Sequence, residues 1–558
     1  MSLPTPNATL DADALLKELT LDEKVELLAG QGASRTTGLP HKGILSFGTI
    51  HLHASPTSDG PHGIRGARSF GRVPSCMLPC ATSMGATFNV DLIRQAGNLL
   101  EEEARFRGVT RFEAFGEDPL LSGMLAAAYI NGVQSQGVAA CIKHFAAHDQ
   151  SANSIEDNVC ATERTLREVH LLPFQLAMRH SDPWTFMASY NKINGIHFSE
   201  NPFLLKTILR DEWGFNGLVM SDWFGTYSTS ESVNAGMDLE MPGPTLWLGK
   251  ALSHAVNCRK VSHQALDDAT RNALTLVNKV KTVEHISTPE SDTQDQRALI
   301  WKIASEGIVL LKNDKKLLPL TDFKGKKFGL IGDHVKHPAI CGGGSSEVKP
   351  YYSITPYNAI VEEVGEANVS YAPGCYTFRY SPFLQRLACP GTDRFGWSVE
   401  IFGENPDEKS NAESVLTTVA EKPLIDVPEN LALPRKYFIR ARSIFTHQAS
   451  KQFRFGFGVS GKGLLKVDGK VVIDQWTDQP PKTDSTPCYD RLCTEKFCTV
   501  DVTDKTTLLE VVMVNENVSG GVGTALTLAG RVGGFEPFDG TKASETQLNW
   551  LRMLILPS

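Results

Sequence analysis

Apolar and polar positions in the first half of the chain alternate in a way that predicts helices and short buried strands. Residues 9–29 predict a pair of surface helices, the second starting at a capping box from Thr20 to Glu23 and ending at Gly30. From about residue 85 to 280, amphipathic segments alternate with short apolar runs. This alternation is typical of a parallel sheet or barrel flanked by helices.

The pattern changes in the second half of the chain. Residues 283–298 are polar and contain proline, which predicts a linker. The apolar runs at 308–312 and 327–333 predict two strands of a second α/β unit. From about residue 375, short alternating strands with a hairpin turn at Asp468-Gly469 predict an all-β module of about 160 residues. Helical patterning returns near residue 540.

One predicted strand ends in residues suited to sugar chemistry. The apolar run 218–220 is followed by Ser221, Asp222 and Trp223. In a (β/α) barrel the carboxyl ends of the strands supply the catalytic groups. There an indole can stack on a pyranose while a carboxylate attacks its anomeric carbon. An Asp after a strand is also a common helix N-cap, so this segment alone leaves both interpretations open.

Other candidate residues follow a similar pattern. Lys143 and His144 follow one apolar run and Tyr190 follows another, while Asp59 lies in a glycine-rich turn. The cationic and hydroxyl side chains could hydrogen-bond a sugar. Taken singly, each has a structural explanation: a turn-forming Asp, a surface Lys, a core His and a strand-end Tyr.

Composition excludes several classes of function. The chain has 558 residues, of which 41% are hydrophobic and 21% charged, as in soluble globular proteins of several domains. Its net charge of −8 gives no reason to expect nucleic acid or an anionic membrane as a partner. No apolar run reaches the roughly 18 residues that span a bilayer. No signal peptide is recognisable at the N-terminus, which leaves the compartment open.

The 11 cysteines lack zinc-type spacing, so no metal site is predicted. Reduced, buried thiols are the favoured interpretation. Disulfides among Cys488, Cys493 and Cys498 are the alternative.

Several motifs in a fixed order carry a family resemblance. Together they resemble glycoside hydrolase family 3, particularly its fungal β-glucosidases. They are Asp59-Gly-Pro, Phe112-Glu-x-Phe-x-Glu-Asp-Pro119, Lys143-His144-Phe, Ser189-Tyr-Asn191, Ser221-Asp-Trp223, Asn234-Ala-Gly-Met-Asp-Leu-Glu-Met-Pro-Gly243 and Gly307-Ile-Val-Leu-Leu-Lys-Asn313. Residues 375–535, which contain the run 461–474, resemble a PA14 domain inserted into the second domain of such an enzyme.

The resemblance implies a multidomain α/β fold. We expect an incomplete (β/α)8-type catalytic barrel, then part of an α/β sandwich domain interrupted by the all-β PA14-like module. The expected limits are 1–282 for the barrel, 283–298 for the linker, 299–374 for the first part of the sandwich domain, 375–535 for the PA14-like module and 536–558 for a truncated return to the sandwich.

The resemblance also implies a role for each candidate residue. Asp222 would be the nucleophile of a retaining β-glucosidase, forming a covalent glycosyl–enzyme. The substrates would be terminal non-reducing β-D-glucosyl residues of cello-oligosaccharides and other β-glucosides, as in cellulose breakdown. No cofactor or metal is implied. The residues expected to contact the sugar are Asp59, Lys143, His144, Tyr190, Trp223 and Arg111.

The chain also departs from the family pattern. Residues 101–108 run almost directly into 110–113, where relatives have a further barrel strand and loop. Residues 31–57 do not match, and the chain ends just after the PA14-like module. The general acid/base Glu of the family lies beyond that module, so no Glu is assigned here. We therefore expect a truncated chain with an internal deletion.

The sequence is compatible with further functions. A β-xylosidase or β-N-acetylglucosaminidase would use the same nucleophile. The segment Ala146-Ala-His148-Asp149 contains a His and an Asp, but without the glycine-rich spacing expected of the latter enzyme. An inactive carbohydrate-binding pseudoenzyme and a defective gene-model fragment also remain open. Homo-oligomerisation is left open.

Overall fold

The computed structural model describes most of the chain with gaps. The described residues are 11–32, 35–42, 44, 62–65, 74–107, 110–112, 115–150, 154–280, 292–321, 323–341, 346–375, 380–384, 386–409, 411–420, 433–434, 436–447, 451–480, 494–502, 505–516 and 530–537.

The described α-helices are α1 (Ala12–Glu18), α2 (Leu21–Leu27), α3 (Ala81–Gly85), α4 (Val90–Arg107), α5 (Pro119–Val133), α6 (Glu163–Thr165), α7 (Leu172–His180), α8 (Ser230–Ala235), α9 (Lys250–Asn257), α10 (His263–Val280), α11 (Gln294–Glu306) and α12 (Pro356–Val364). Two further helical segments, Leu166–His170 and Phe203–Glu212, have π-helical hydrogen bonding.

The described strands are β1 (Gly30–Gln31), β2 (Arg35–Thr36), β3 (Thr110–Phe112), β4 (Ala140–Phe145), β5 (Asn158–Val159), β6 (Thr185–Ala188), β7 (Lys192–Ile193), β8 (Ile196–His197), β9 (Leu218–Ser221), β10 (Phe328–Ile331), β11 (Val369–Ala372), β12 (Leu387–Ala388), β13 (Trp397–Phe402), β14 (Ser414–Ala420), β15 (Phe438–Thr446), β16 (Lys451–Val459), β17 (Lys462–Val467), β18 (Lys470–Gln475), β19 (Lys496–Val502), β20 (Thr506–Val514) and β21 (Gly530–Phe535).

The predicted N-terminal helix pair is present as α1 and α2. The capping box is reciprocal: the Thr20 N–H donates to Glu23 Oε2 at 2.8 Å, and the Glu23 N–H donates to Thr20 Oγ1 at 3.3 Å. The backbone bond from Thr20, followed by bonds from His41 and the Thr20 hydroxyl, lowers the pKa of Glu23 to about 2. The polar start of α2 is thus satisfied locally, while Val25 and Leu27 face the core.

A parallel sheet of four strands, in the order β3-β4-β6-β9, organises the first half of the chain. Every residue of β6 and β9 is buried, which explains their uninterrupted apolar runs. Parallel bridges from Met220 to Leu239 and from Ala29 to Glu240 extend the pattern beyond β9. All four strands run in one direction, so their carboxyl ends share one edge of the sheet.

Helices α4 and α5 pack closely at two glycines. A Cβ atom added at Gly132 would collide with the carbonyl oxygen of Arg94, and one added at Gly97 would meet the carbonyl oxygen of Tyr129. The two backbones therefore approach at a distance that only glycine permits.

We expect Gly132→Ala to destabilise the fold by about 2 kcal/mol, because the cost of overpacking exceeds the gain in helix propensity. Thermal and urea unfolding would measure the change. Gln95→Ala on the exposed face of α4 is the control and should change stability by no more than about 0.5 kcal/mol. Equal stability of the two variants would contradict the close packing.

One of the two strands predicted for the second α/β unit is present in the described residues. Strands β10 and β11 form a parallel pair, which confirms the predicted strand near residues 327–333. The predicted strand at 308–312 is wrong: no sheet of the described residues includes it, and Ile308 and Leu311 are 78% and 91% exposed. A strand needs a partner backbone, and an apolar run alone does not show where that partner lies.

The predicted linker is partly helical. Helix α11 begins at Gln294, within the predicted range 283–298. Thr293 and Gln296 form a second capping box, whose polar residues resemble linker composition. From residue 294 onward, the polar pattern therefore marks the start of a helix.

The second half is mainly antiparallel β structure. Strands β14-β13-β15-β20-β17-β18, with β12 beside β15, form one sheet, and β19-β16-β21 form another. One apolar core joins both sheets through residues such as Val399, Leu509 and Phe455. The predicted hairpin at Asp468-Gly469 is confirmed: it joins β17 to β18, and both residues have positive φ. Together the layers confirm the multidomain α/β class.

Three features are absent from the described part of the chain. No described helix is both long and apolar enough to cross a membrane. No group of three or more described His, Cys, Asp or Glu residues could hold a metal ion. No disulfide forms among the nine cysteines that the structure describes, and Cys488 and Cys493 lie outside the described residues.

Candidate active site

Side chains from three neighbouring strands meet at the carboxyl edge of the parallel sheet. His144 lies on β4, Tyr190 follows β6 and Asp222 follows β9. The Nε2 atom of His144 lies 3.0 Å from Oδ2 of Asp222. His144 and Asp222, both predicted site residues, are therefore in direct contact.

The Asp222 carboxylate is buried and oriented from both sides. Its residue is 8% exposed. Oδ1 accepts the backbone N–H of Trp223 at 2.7 Å, while Oδ2 faces His144. Two directed contacts hold the carboxylate in one orientation, as a nucleophile requires.

The backbone after β9 forms a tight turn. The Gly225 N–H donates to the Asp222 carbonyl at 2.9 Å, and the Phe224 N–H donates to the Met241 carbonyl at 2.9 Å. Phe224 has a φ of 65°. The next helix, α8, begins only at Ser230, so Asp222 is not a helix N-cap. The N-cap interpretation of Asp222 is therefore excluded.

Two of the other predicted site residues are buried, and for the other two the side chain is not described. Lys143 is buried on β4, and Trp223 is buried within an apolar cluster that includes Met220. Arg111 lies on β3, beside Cys141 of β4, and its side chain is not described. Asp59 lies outside the described residues. Among the predicted residues, the described geometry thus brings His144 and Asp222 into contact, and Tyr190 follows the neighbouring strand β6.

The backbone of Tyr190 is held by two residues that the sequence analysis missed. The Tyr227 hydroxyl donates to the Tyr190 carbonyl at 3.2 Å, and His197 Nδ1 lies 3.4 Å from the same oxygen. The His197 and Tyr227 rings stack at 3.8 Å. Burial, more than any other cause, lowers the pKa of His197. A neutral imidazole can then stack on Tyr227 without a charge to solvate.

His148 also lies at the site, although it is not among the predicted site residues. Its ring lies 4.9 Å from that of His144 and 5.9 Å from that of Tyr190. Its Nδ1 atom is buried without a hydrogen-bond partner among the described residues. Burial, then repulsion from His144, lowers the pKa of His148, while Asp222 and Asn191 act in the opposite direction. The sequence signal at His148 is its position with Asp149 shortly after Lys143-His144-Phe, considered above only for a β-N-acetylglucosaminidase.

A buried ion pair anchors the strand that carries Asp222. Arg210 Nη2 lies 2.7 Å from Asp238 Oδ2, and that oxygen also accepts the Val219 N–H at 2.7 Å. Asn272 Nδ2 donates to Oδ1 at 3.0 Å. Just beyond, the Ser221 hydroxyl exchanges hydrogen bonds with the backbone of Met241. Asp238 therefore ties β9 to two helical segments close to the candidate nucleophile.

Chemically, the site presents a fixed, buried carboxylate backed by a histidine. Such a group can act as a nucleophile or as a general base toward a bound substrate. Asp149, the second carboxylate acting on His148, is 3.1 Å from His170 and is largely exposed. Asp222 is thus the better placed carboxylate for covalent catalysis.

Known proteins resemble this chain over most of its length. Probable beta-glucosidase J of Aspergillus fumigatus is 39% identical over 503 residues, which cover 84% of this chain and 57% of the relative. Probable beta-glucosidase I of Aspergillus oryzae is 39% identical over 497 residues, with the same coverage. The chain therefore spans little more than half the length of these two relatives.

A solved structure has a similar fold. The crystal structure of beta-glucosidase from Kluyveromyces marxianus in complex with glucose superposes with a TM-score of 0.83 at 30% identity. The match covers 96% of this chain and 66% of that one. The glycosyl hydrolase family 3 N-terminal domain matches residues 58–276, and the family's C-terminal domain matches residues 308–476. The chain belongs to glycoside hydrolase family 3.

Proposed function

We propose that this chain carries the glycosylation machinery of a retaining β-glucosidase, with Asp222 as the nucleophile. The observation that supports this most strongly is the buried Asp222 carboxylate, oriented by His144 and the Trp223 N–H at the carboxyl edge of a parallel sheet. The named relatives are β-glucosidases, and the Kluyveromyces enzyme binds glucose.

The reaction would proceed in two displacements. Asp222 Oδ attacks the anomeric carbon of a terminal β-D-glucosyl residue as the bond to the leaving oxygen breaks on the opposite face. The product is a covalent α-glucosyl ester on Asp222. Water then attacks the same carbon from the β face as the ester bond to Asp222 breaks, which gives glucose with net retention, the free carboxylate and a proton that passes to solvent.

The remaining predicted residues would bind the sugar. We infer that Asp59, Lys143, His144 and Arg111 hydrogen-bond its hydroxyls, and that Tyr190 and Trp223 shape the pocket. Hydroxyl hydrogen bonds that tighten in the oxocarbenium-like transition state contribute several kcal/mol, about the scale of a 10²–10³-fold rate effect. The substrates would be cello-oligosaccharides and other β-glucosides.

We further infer the domain context of this site. The four-stranded sheet and its bridged extensions would belong to an incomplete (β/α)8-type barrel over residues 1–282. Residues 299–374 and 536–558 would be parts of a sandwich domain, and 375–535 a PA14-like module inserted into it. The antiparallel sheets of β12–β21 support an inserted all-β module.

Intact-mass analysis after incubation with 2,4-dinitrophenyl 2-deoxy-2-fluoro-β-glucoside would test the proposal. Dinitrophenolate leaves without a proton, so labelling requires only the pocket and the nucleophile. We expect a mass gain of one fluorosugar, located by peptide mapping to the segment that contains Asp222.

Two outcomes would count against the proposal. A label on another carboxylate would reject Asp222 as the nucleophile. A folded protein that binds glucose in calorimetry but is never labelled would instead be a carbohydrate-binding pseudoenzyme. The aryl glucoside, xyloside and N-acetylglucosaminide compared in parallel would define the sugar preference.

A further inference from the structure

We infer that His148 is a positioning residue for Asp222 that acts through the ring of His144. The inference rests on the proposed role of Asp222 as nucleophile. The His148 ring meets the His144 ring edge-on, with 4.9 Å between centroids and 61° between planes. His144 in turn lies 3.0 Å from the Asp222 carboxylate. His148 therefore limits the rotation of the side chain that orients the nucleophile.

The backbone is built to place the His148 ring there. Ala147 has a φ of 57°, a left-handed conformation that is unfavourable for a residue with a Cβ atom. On the preceding side, the Ser189 N–H donates to the Phe145 carbonyl at 2.8 Å, and the Ser189 hydroxyl donates to the Ala146 carbonyl at 3.1 Å. Backbone strain of this kind persists where surrounding contacts hold it, often at functional sites.

A side-chain contact lies on the other side of the turn. Asp149 Oδ2 lies 3.1 Å from Nδ1 of His170, in the helical segment that precedes α7. The backbone before His148 is thus held at Phe145 and Ala146, the residue after it contacts His170, and the Tyr190 ring lies 5.9 Å from the His148 ring between centroids. This environment leaves the ring little freedom to move away from His144.

Burial, more than the charges around it, lowers the pKa of His148 and favours the neutral ring. The titratable groups that face it are His144 and Asp149 from its own segment, Asp222 after β9 and Tyr190 after β6. Burial and the neighbouring His144 lower the pKa of His148 below 6.5, against the opposing effects of Asp222, Asn191 and Asp149. Protonation of His148 in acid would place a charge in a largely buried position beside the ring of His144, which disfavours the arrangement that holds Asp222.

Two substitutions at His148 separate the effect of its ring contact with His144 from the effect of its protonation. His148→Ala removes both, and we expect labelling by the fluoroglucoside to slow by about 10- to 100-fold at pH 7, as for a misplaced catalytic group. His148→Phe keeps an aromatic ring but cannot be protonated. His148→Phe should label about tenfold faster than His148→Ala at pH 7. Its labelling rate should also begin to fall at a lower pH than that of the wild type.

The kinetic controls are straightforward. His263→Ala removes an exposed histidine at the start of α10 and should leave both the rate and its pH profile unchanged. The loss in His148→Ala should lie in the limiting labelling rate rather than in the reagent concentration for half-maximal rate. If His148→Ala labels at the wild-type rate with the wild-type pH profile, the inference is wrong.

An NMR titration of the histidines needs no activity, so it distinguishes a failure of this inference from a failure of the proposed function. In the full chain labelled with ¹³C-histidine, the His148 resonance is identified by its loss in His148→Phe. We expect His144→Phe to raise the pKa of His148, because repulsion is removed, and Asp222→Asn to lower it, because attraction is removed. If the wild-type chain is not labelled, the proposed nucleophile fails, while these opposite shifts would still support the His144–His148–Asp222 coupling. No shift in either variant would overturn that coupling.

Discussion

Replacing Asp222 with asparagine is expected to slow glycosyl–enzyme formation by on the order of 10⁴-fold or more, the scale seen when a covalent nucleophile is removed. Asparagine keeps the size and one oxygen of the side chain, so the hydrogen bond from Trp223 can survive. It lacks the negative charge that attacks the anomeric carbon. Stopped-flow release of dinitrophenolate, with intact-mass detection of the sugar adduct, would measure the loss.

The fold of the Asp222→Asn variant should be intact. The carboxylate is buried, and removal of a buried charge at a functional site is often neutral or stabilising. Thermal unfolding should therefore begin at or above the wild-type temperature. Asp211→Asn, on the exposed face of the segment Phe203–Glu212, is the matched control and should label normally.

Azide rescue makes the assignment of Asp222 more specific. In Asp222→Ala the small anion can enter from the face vacated by the carboxylate and displace the activated leaving group. The product would be an α-glucosyl azide, with inversion at the anomeric carbon. A β-glucosyl azide, or an Asp222→Asn variant that still forms the adduct, would move the nucleophile to another residue.

The shared edge at which β4, β6 and β9 end could be predicted from the sequence because it follows from a simple rule. Each apolar run ends at a polar residue, and parallel strands present those ends at one edge. The runs before Lys143, Tyr190 and Asp222 became β4, β6 and β9 in this way. The rule also requires that the strands run in the same direction. The alternation of strands with helices predicts this, because it is typical of a parallel sheet.

The position of His148 could not be predicted in the same way. Its ring reaches His144 because Ala147 adopts a positive φ, a conformation more typical of glycine or asparagine. The hydrogen bonds that hold this turn come from Ser189, more than 40 residues away. Tertiary contacts, rather than local pattern, therefore determine this part of the site.

The incorrect strand at 308–312 has a similar origin. The run is apolar enough for a buried strand, yet its side chains are exposed in the described structure. The apolar pattern of a segment shows that it could be buried. Whether it pairs as a strand depends on residues that are distant in the sequence. The hairpin at Asp468-Gly469 was predictable because its partner strands are adjacent and its turn chemistry is local.

Asp238→Ala should give the largest loss of stability among the substitutions considered, about 3–5 kcal/mol. The change leaves the half-buried Arg210 guanidinium without its carboxylate and removes the acceptor for the Val219 N–H. For a domain of this size, the unfolding temperature should fall by roughly 10 °C. Differential scanning calorimetry and urea unfolding would measure both quantities.

Two comparisons isolate the buried ion pair as the cause. Asp268→Ala breaks an exposed pair with Arg271 on α10 and should cost at most about 1 kcal/mol. Replacing both partners, as in Arg210→Met with Asp238→Asn, should cost less than Asp238→Ala because no unpaired charge remains. A loss in Asp238→Ala no larger than that in Asp268→Ala would contradict the anchoring role.

Asp238→Ala should also slow the proposed labelling reaction. Val219 precedes Asp222 by three residues on β9, and its N–H is held by the Asp238 carboxylate. The fraction of Asp238→Ala that remains folded at low temperature should therefore label more slowly than wild type, because the carboxyl end of β9 is less firmly placed. Labelling at the wild-type rate would show that Ser221 and Met241 hold that end of the strand without Asp238.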